Sequence, residues 1–148
     1  MNLILDINDF SFKNIIFNES IKNTIMENSN FIRINYSNKH FILNGIYIKI
    51  NFIEEVDNSN NIAILQFVEK LEKFILNFSN NKKNQIYKIK EQVTYLLNKI
   101  LANVQSKHNN HHHNNHNIAT NYILKISGMW ETNIQIGITY KIFPINHL

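Results

Sequence analysis

The chain has no cysteine, which excludes a disulfide framework, a thiolate nucleophile and cysteine-ligated zinc, and suits a reducing compartment. Arginine occurs once, at Arg33, against fourteen lysines. Charged residues make up 18% of the chain, below the usual quarter, so the polar surface leans on asparagine. None of the three glycines belongs to a Walker phosphate loop or a dinucleotide fingerprint, and no G-x-S-x-G elbow is present. No apolar run approaches the ~18 residues that a transmembrane helix requires. The opening MNLILDINDF carries an acid by its sixth residue and lacks a basic stretch followed by a long apolar one, so no secretory signal is expected. These absences point to a protein that is not an enzyme, not secreted and without a membrane partner.

What is present fits a single domain. At 148 residues with 44% hydrophobic content, residues 1–148 can enclose one core. Asparagine and isoleucine together exceed a third of the chain, the pattern an AT-rich genome imposes through its codons. The formal net charge of +4 and pI near 9.2 fit a nucleic-acid partner, but lysine enrichment by codon bias yields the same figures.

Hydropathy patterning gives an α+β expectation. DFSFKNIIFN, Asp9 to Asn18, reads as a strand, and Ser20 to Asn28 reads as a short helical stretch capped by Ser20 with Ile21 and Ile25 on one face. From Phe31 to Phe52 the period is two: Ile32, Ile34 and Tyr36 separate from Phe31, Arg33 and Asn35. Ile46, Ile48, Ile50 and Phe52 likewise separate from Tyr47, Lys49 and Asn51. Asn44-Gly45 predicts a two-residue type I′ hairpin between these runs. The period then becomes helical, with one stripe at Ile64, Phe67, Val68, Leu71, Phe74, Ile75 and Phe78 and a second from Ile86 to Val104, joined by a short polar loop. The C-terminal run from Ile118 to Phe143 is a half-buried antiparallel hairpin, with Gly128 opening a turn that carries Trp130. Gly137 lies inside a strand, where a missing side chain marks a bulge or a close approach. The expected architecture is an antiparallel sheet, formed by an N-terminal meander and the C-terminal hairpin, packed on a two-helix αα-hairpin.

Candidate chemistry is sparse. The tract QSKHNNHHHNNHN, residues 105–117, has too little apolar surface to offset its ordering entropy and reads as a disordered loop within the domain. His112 and His116 have i,i+4 spacing, but zinc needs a fixed backbone and oriented imidazoles, so no native metal site is expected. Glu54 with Glu55, and Asp6 with Asp9, lack the context of a catalytic pair and read as solvated turns. What remains is the sheet face away from the helices. Alternation brings Phe31, Arg33, Tyr47, Lys49, Lys125 and Lys141 to that side, with Thr139 and Phe143 beside them and Trp130 at the rim. Rings interleaved with cations suit single-stranded nucleic acid, whose bases stack while Lys and Arg meet phosphates. The alternatives are a sheet face covered by a partner subunit and a Trp130 that plugs the core.

The segment Tyr122 to Glu131, YILKISGMWE, followed by Ile136 to Lys141, IGITYK, resembles the closing hairpin of poorly characterised proteins from nucleocytoplasmic large DNA viruses. Those proteins are loosely similar to the single-stranded DNA-binding proteins of poxviruses and iridoviruses. The resemblance implies a replication-associated protein of the host cytoplasm, in the viral factory, or of the virion. Binding by stacking and phosphate contacts on the sheet face is expected to use no metal or nucleotide cofactor. The expected partner is single-stranded nucleic acid or, for a structural or assembly protein, another viral protein; a homo-oligomer is compatible with both.

Overall fold

The computed structural model describes residues 3–79, 82–109 and 118–145. Two helices pack on one face of a mostly antiparallel sheet, the α+β arrangement expected. The strands are β1 (Leu5–Asp6), β2 (Ile15–Lys22), β3 (Asn30–Ser37), β4 (Ile42–Leu43), β5 (Ile46–Asn51), β6 (Asn84–Gln85), β7 (Asn121–Glu131) and β8 (Gln135–Pro144). The helices are α1 (Ser59–Leu76) and α2 (Ile89–Asn109).

β7 is the spine of the sheet. One of its edges pairs with β8 along almost its whole length. The other edge is shared: β3 lies along its C-terminal part, from Asn30↔Glu131 to Arg33↔Gly128, and β5 along its N-terminal part, from Ile46↔Ile126 to Asn51↔Asn121. Between Arg33 and Ile46 the chain leaves that edge as a flap in which the end of β3 pairs with β4, Tyr36↔Leu43 and Ser37↔Ile42. β2 closes one side against β3, and two-residue parallel pairings hold β1 to β5 and β6 to β8.

Four sequence expectations are corrected here. Asn44-Gly45 does not close a hairpin between β4 and β5, because β4 pairs with β3. Only Gly45 takes a positive φ, +109°, turning the flap back toward β7. Asp9 to Asn14 is not strand; two 3-10 turns, Ile7–Asp9 and Phe12–Asn14, press Phe10 and Phe12 onto Phe67 of α1 before β2 begins. Ser20–Lys22 continue β2 and no helix follows: Ile25 is 95% exposed, so a helix there would have no apolar face to bury. The C-terminal turn falls at 132–134, after Trp130 rather than around it.

The helical stripes hold in their aliphatic members. Ile64, Val68, Leu71 and Ile75 of α1 and Val93, Leu97 and Ile100 of α2 are buried against the inward Ile32, Ile34, Ile46, Ile48, Leu124 and Ile126. Phe74 and Phe78 instead lie at the flank, half exposed, where Phe17 stacks on Phe78 at 3.8 Å. Ile86 is not helical; its N–H donates to Ile136 O at 2.9 Å. α2 runs on through 105–109, the first part of the tract expected to be disordered, and residues 110–117 lie outside the described residues.

Buried polar groups lock the layers. The carboxylate of Glu72, 1% exposed, accepts the backbone N–H groups of Lys88, Ile89 and Lys90 at 3.0, 2.8 and 3.2 Å, so α1 caps the N-terminus of α2. Asn61 on α1 accepts from Ile53 N–H and donates to Ile53 O, fixing the segment that leaves β5.

Candidate nucleic-acid interface

The orientation of the candidate residues is decided by one irregularity. Pairing of β7 with β8 steps from Ile126↔Tyr140 to Gly128↔Thr139, leaving Ser127 as an extra residue, a β-bulge. The other edge of β7 changes partner from β5 to β3 at the same place. A strict period of two would aim Trp130 into the core; the extra residue reverses the parity and aims Gly128 and Trp130 outward with Lys125. Met129 turns inward instead and is fully buried. Trp130 is therefore neither a core plug nor a turn residue.

All seven candidates then share the face away from the helices, in transverse rows fixed by register. The first row runs Ile21, Phe31, Trp130, Gly137 across β2, β3, β7 and β8. The second is Arg33, Gly128, Thr139. The third, beyond the bulge, is Tyr47, Lys125, Lys141. The fourth is Asp6, Lys49, Ile123, Phe143.

Both glycines in the upper rows are seats for rings. A Cβ on Gly137 would lie 2.3, 2.4 and 2.7 Å from Cζ2, Cε2 and Nε1 of Trp130, so the indole lies flat across the glycine. A Cβ on Gly128 would meet Cζ and Cε2 of Phe31 at 2.6 and 2.8 Å, and Ile32 O at 2.3 Å. The close approach expected at Gly137 is thus made by Trp130. Both side chains are held against the sheet and are half-buried, so part of each stays accessible.

The cations are distributed unevenly. Lys125 Nζ lies 5.6 Å from the Tyr47 ring centroid, a cation–π contact within the face. Lys141, directly opposite Lys125, is exposed. Arg33 is exposed and donates through Nη1 to Asn44 Oδ1 at 2.9 Å, which ties it to the flap. Lys49 stands in register with Asp6, so its end of the face is electrically mixed. Lys73 and Lys90 pair with Glu69, whose carboxyl is held below its ordinary value by hydrogen bonds and charge from Lys90 and then Lys73. Lys83 pairs with Glu131 at 3.1 Å. Among the described residues no acid comes within ion-pair distance of Lys125 or Lys141.

No family model, curated protein or solved structure matches this chain. Among the described residues no cluster of three or more His or carboxylate groups could hold a metal ion, and no helix is long and apolar enough to cross a membrane. His111, His112, His113 and His116 lie outside the described residues. Glu54 and Glu55 are exposed on the segment after β5, and Asp6 and Asp9 are exposed at the first 3-10 turn.

Sequence reasoning missed Ile21, 57% exposed on this face, because residues 20–28 read as helical. Ile123 lies on the side of Lys125, as its alternation with Leu124 expects, and is buried there.

Proposed function

We propose that the protein binds single-stranded nucleic acid on the helix-free face of its sheet, as a binding protein rather than an enzyme. The observation that carries this is the combination of two glycine-seated rings, Trp130 and Phe31, with an uncompensated lysine pair, Lys125 and Lys141, on one face. An unpaired base presents a π-face to a flat ring, and a phosphate backbone is the polyanion that two adjacent ammonium groups favour. Duplex hides its base faces, so it gains only the charge term. This mode of binding needs neither a metal nor a nucleotide cofactor. The sequence resemblance of the closing hairpin extends the proposal to a replication-associated role in a large DNA virus, in the host cytoplasm or virion.

The test is fluorescence anisotropy of a labelled single strand of ~20 nucleotides at low and moderate salt, with unlabelled duplex as competitor. Micromolar or tighter binding that weakens with salt and survives duplex is expected. Absence of binding at low salt refutes the proposal. A second reading, an assembly protein or homo-oligomer that buries this face, is favoured by exposed Ile16 and Ile21 along the β2 edge, 44% and 57% accessible. It predicts a solution mass above the monomer by light scattering.

A further inference from the structure

We infer that the face is a two-part site in which a single strand lies along β7, bases on the Trp130–Phe31 row and phosphates on the Lys125–Lys141 row. This rests on the nucleic-acid reading above and adds the direction of the strand, the footprint and the division of labour. The two rows are separated along β8 by the four steps from Gly137 to Lys141, about 14 Å at ~3.4 Å per residue. A stacked strand advances ~3.4 Å per nucleotide, so about four nucleotides bridge the rows.

The intervening row, Arg33, Gly128 and Thr139, supplies no further ring. A strand running across the sheet instead would meet the two glycine-seated rings of the first row or the lysine pair of the third, where the ring present, Tyr47, is already engaged by the Lys125 ammonium. A course along β7 uses the seated rings and the cation pair together.

Rings and cations have separable signatures. Each phosphate contact to a single strand contributes ~0.7 to the slope of log affinity against log salt, whereas stacking contributes affinity with little salt dependence. The experiment measures anisotropy with labelled oligonucleotides of about two, four, eight and twenty nucleotides over a salt series. The variants are Trp130→Ala, Gly137→Ala, Lys125→Ala and Lys141→Ala.

Gly137→Ala is the sharpest of these. The three atoms nearest the added methyl all belong to the indole, so it lifts the ring from its seat while leaving every cation in place. Trp130→Ala and Gly137→Ala are expected to weaken binding roughly 5- to 100-fold with an unchanged salt slope. Each lysine variant is expected to lower the slope by ~0.7. Affinity should rise steeply up to about four nucleotides and only gradually beyond. Should Gly137→Ala fail to fold by circular dichroism, Trp130→Leu replaces it, keeping bulk and removing the stacking surface.

Equal slopes in the lysine variants and the parent, or a two-nucleotide ligand that binds as well as a longer one, would overturn the layout while the nucleic-acid reading stands. Parent protein that binds no length at low salt overturns both.

Discussion

Lys125 and Lys141 face each other directly across β7 and β8, an arrangement that works against the fold. Like charges opposite one another on one face of an antiparallel pair cost about 0.2–1 kcal/mol, and opposite charges gain a similar amount. Lys141→Glu converts the first case into the second. Lys141 is exposed and the Lys125 ammonium leans toward the Tyr47 ring, so solvent screening holds the gain to about 0.5 kcal/mol. In a domain of this size that raises Tm by about 1–2 °C. The increment should shrink in 1 M salt, where the Debye length falls to ~3 Å. The same variant replaces a cation with an anion on the proposed phosphate row, so single-strand affinity at low salt should fall roughly tenfold or more. Thermal melts at two salt concentrations, with anisotropy on the same preparations, read both effects. A lower Tm, or an unchanged affinity, would refute the claim that the pair is kept for a ligand at a cost to the fold.

Three further substitutions test the scaffold. Glu72→Gln leaves the α2 cap without its charge and aims an amide N–H at backbone donors, and should cost about 3 kcal/mol, seen as a Tm lower by roughly 6–12 °C in calorimetry. Gly128→Ala places a methyl 2.3 Å from Ile32 O, a backbone atom that cannot swing aside, and should destabilise by about 1–3 kcal/mol in urea melts, where Gly137→Ala costs less. Glu69 has its pKa lowered in the folded protein by Lys90 and Lys73, so its pairs contribute stability above the ordinary carboxylate value near 4.5, and that contribution is lost as pH falls through the depressed folded pKa. The melting difference between the parent and Glu69→Gln should therefore be present at neutral pH and vanish in acid.

Much of the framework is legible in the sequence because it is written in period. Ile32, Ile34 and Tyr36, and then Ile46, Ile48 and Ile50, alternate without interruption, and both faces of β3 and β5 follow from them. Ile64, Val68, Leu71 and Ile75 mark the buried side of α1 in the same way. The failures occur where a tertiary partner decides. Asn44-Gly45 is a strong local hairpin signal, yet β4 is captured by the end of β3, a pairing no local pattern announces. β1 and β6 are two-residue parallel pairings, too short to show any period. Glu72 looks like any surface acid of an amphipathic helix until the start of α2 is placed over it. The candidate face was legible residue by residue except at Ile21, hidden by a helical reading, and at Trp130, whose direction depends on Ser127 being unpaired in the ladder. A bulge is visible only in the count of residues between two registers, and one strand read alone has no register.

Codon bias, were it the source of the lysine count, would not set where the lysines sit or what surrounds them. Lys73, Lys83 and Lys90 are each matched with a glutamate, and Lys70 lies over the Phe12 ring on the helical side. Lysines without an ion pair occur in the helical layer as well, Lys88 and Lys99 among them, so the lack of a carboxylate partner does not by itself mark a site. Lys125 and Lys141 are adjacent, unmatched among the described residues, and placed beyond a bulge that turns the only tryptophan to the same side. A protein partner covering this face would have to bring carboxylates to the lysine row and an apolar surface to the ring row, two chemistries about 14 Å apart along one strand. A single-stranded nucleic acid carries both in every nucleotide, so the proposed ligand would meet the ring row and the lysine row with no special sequence.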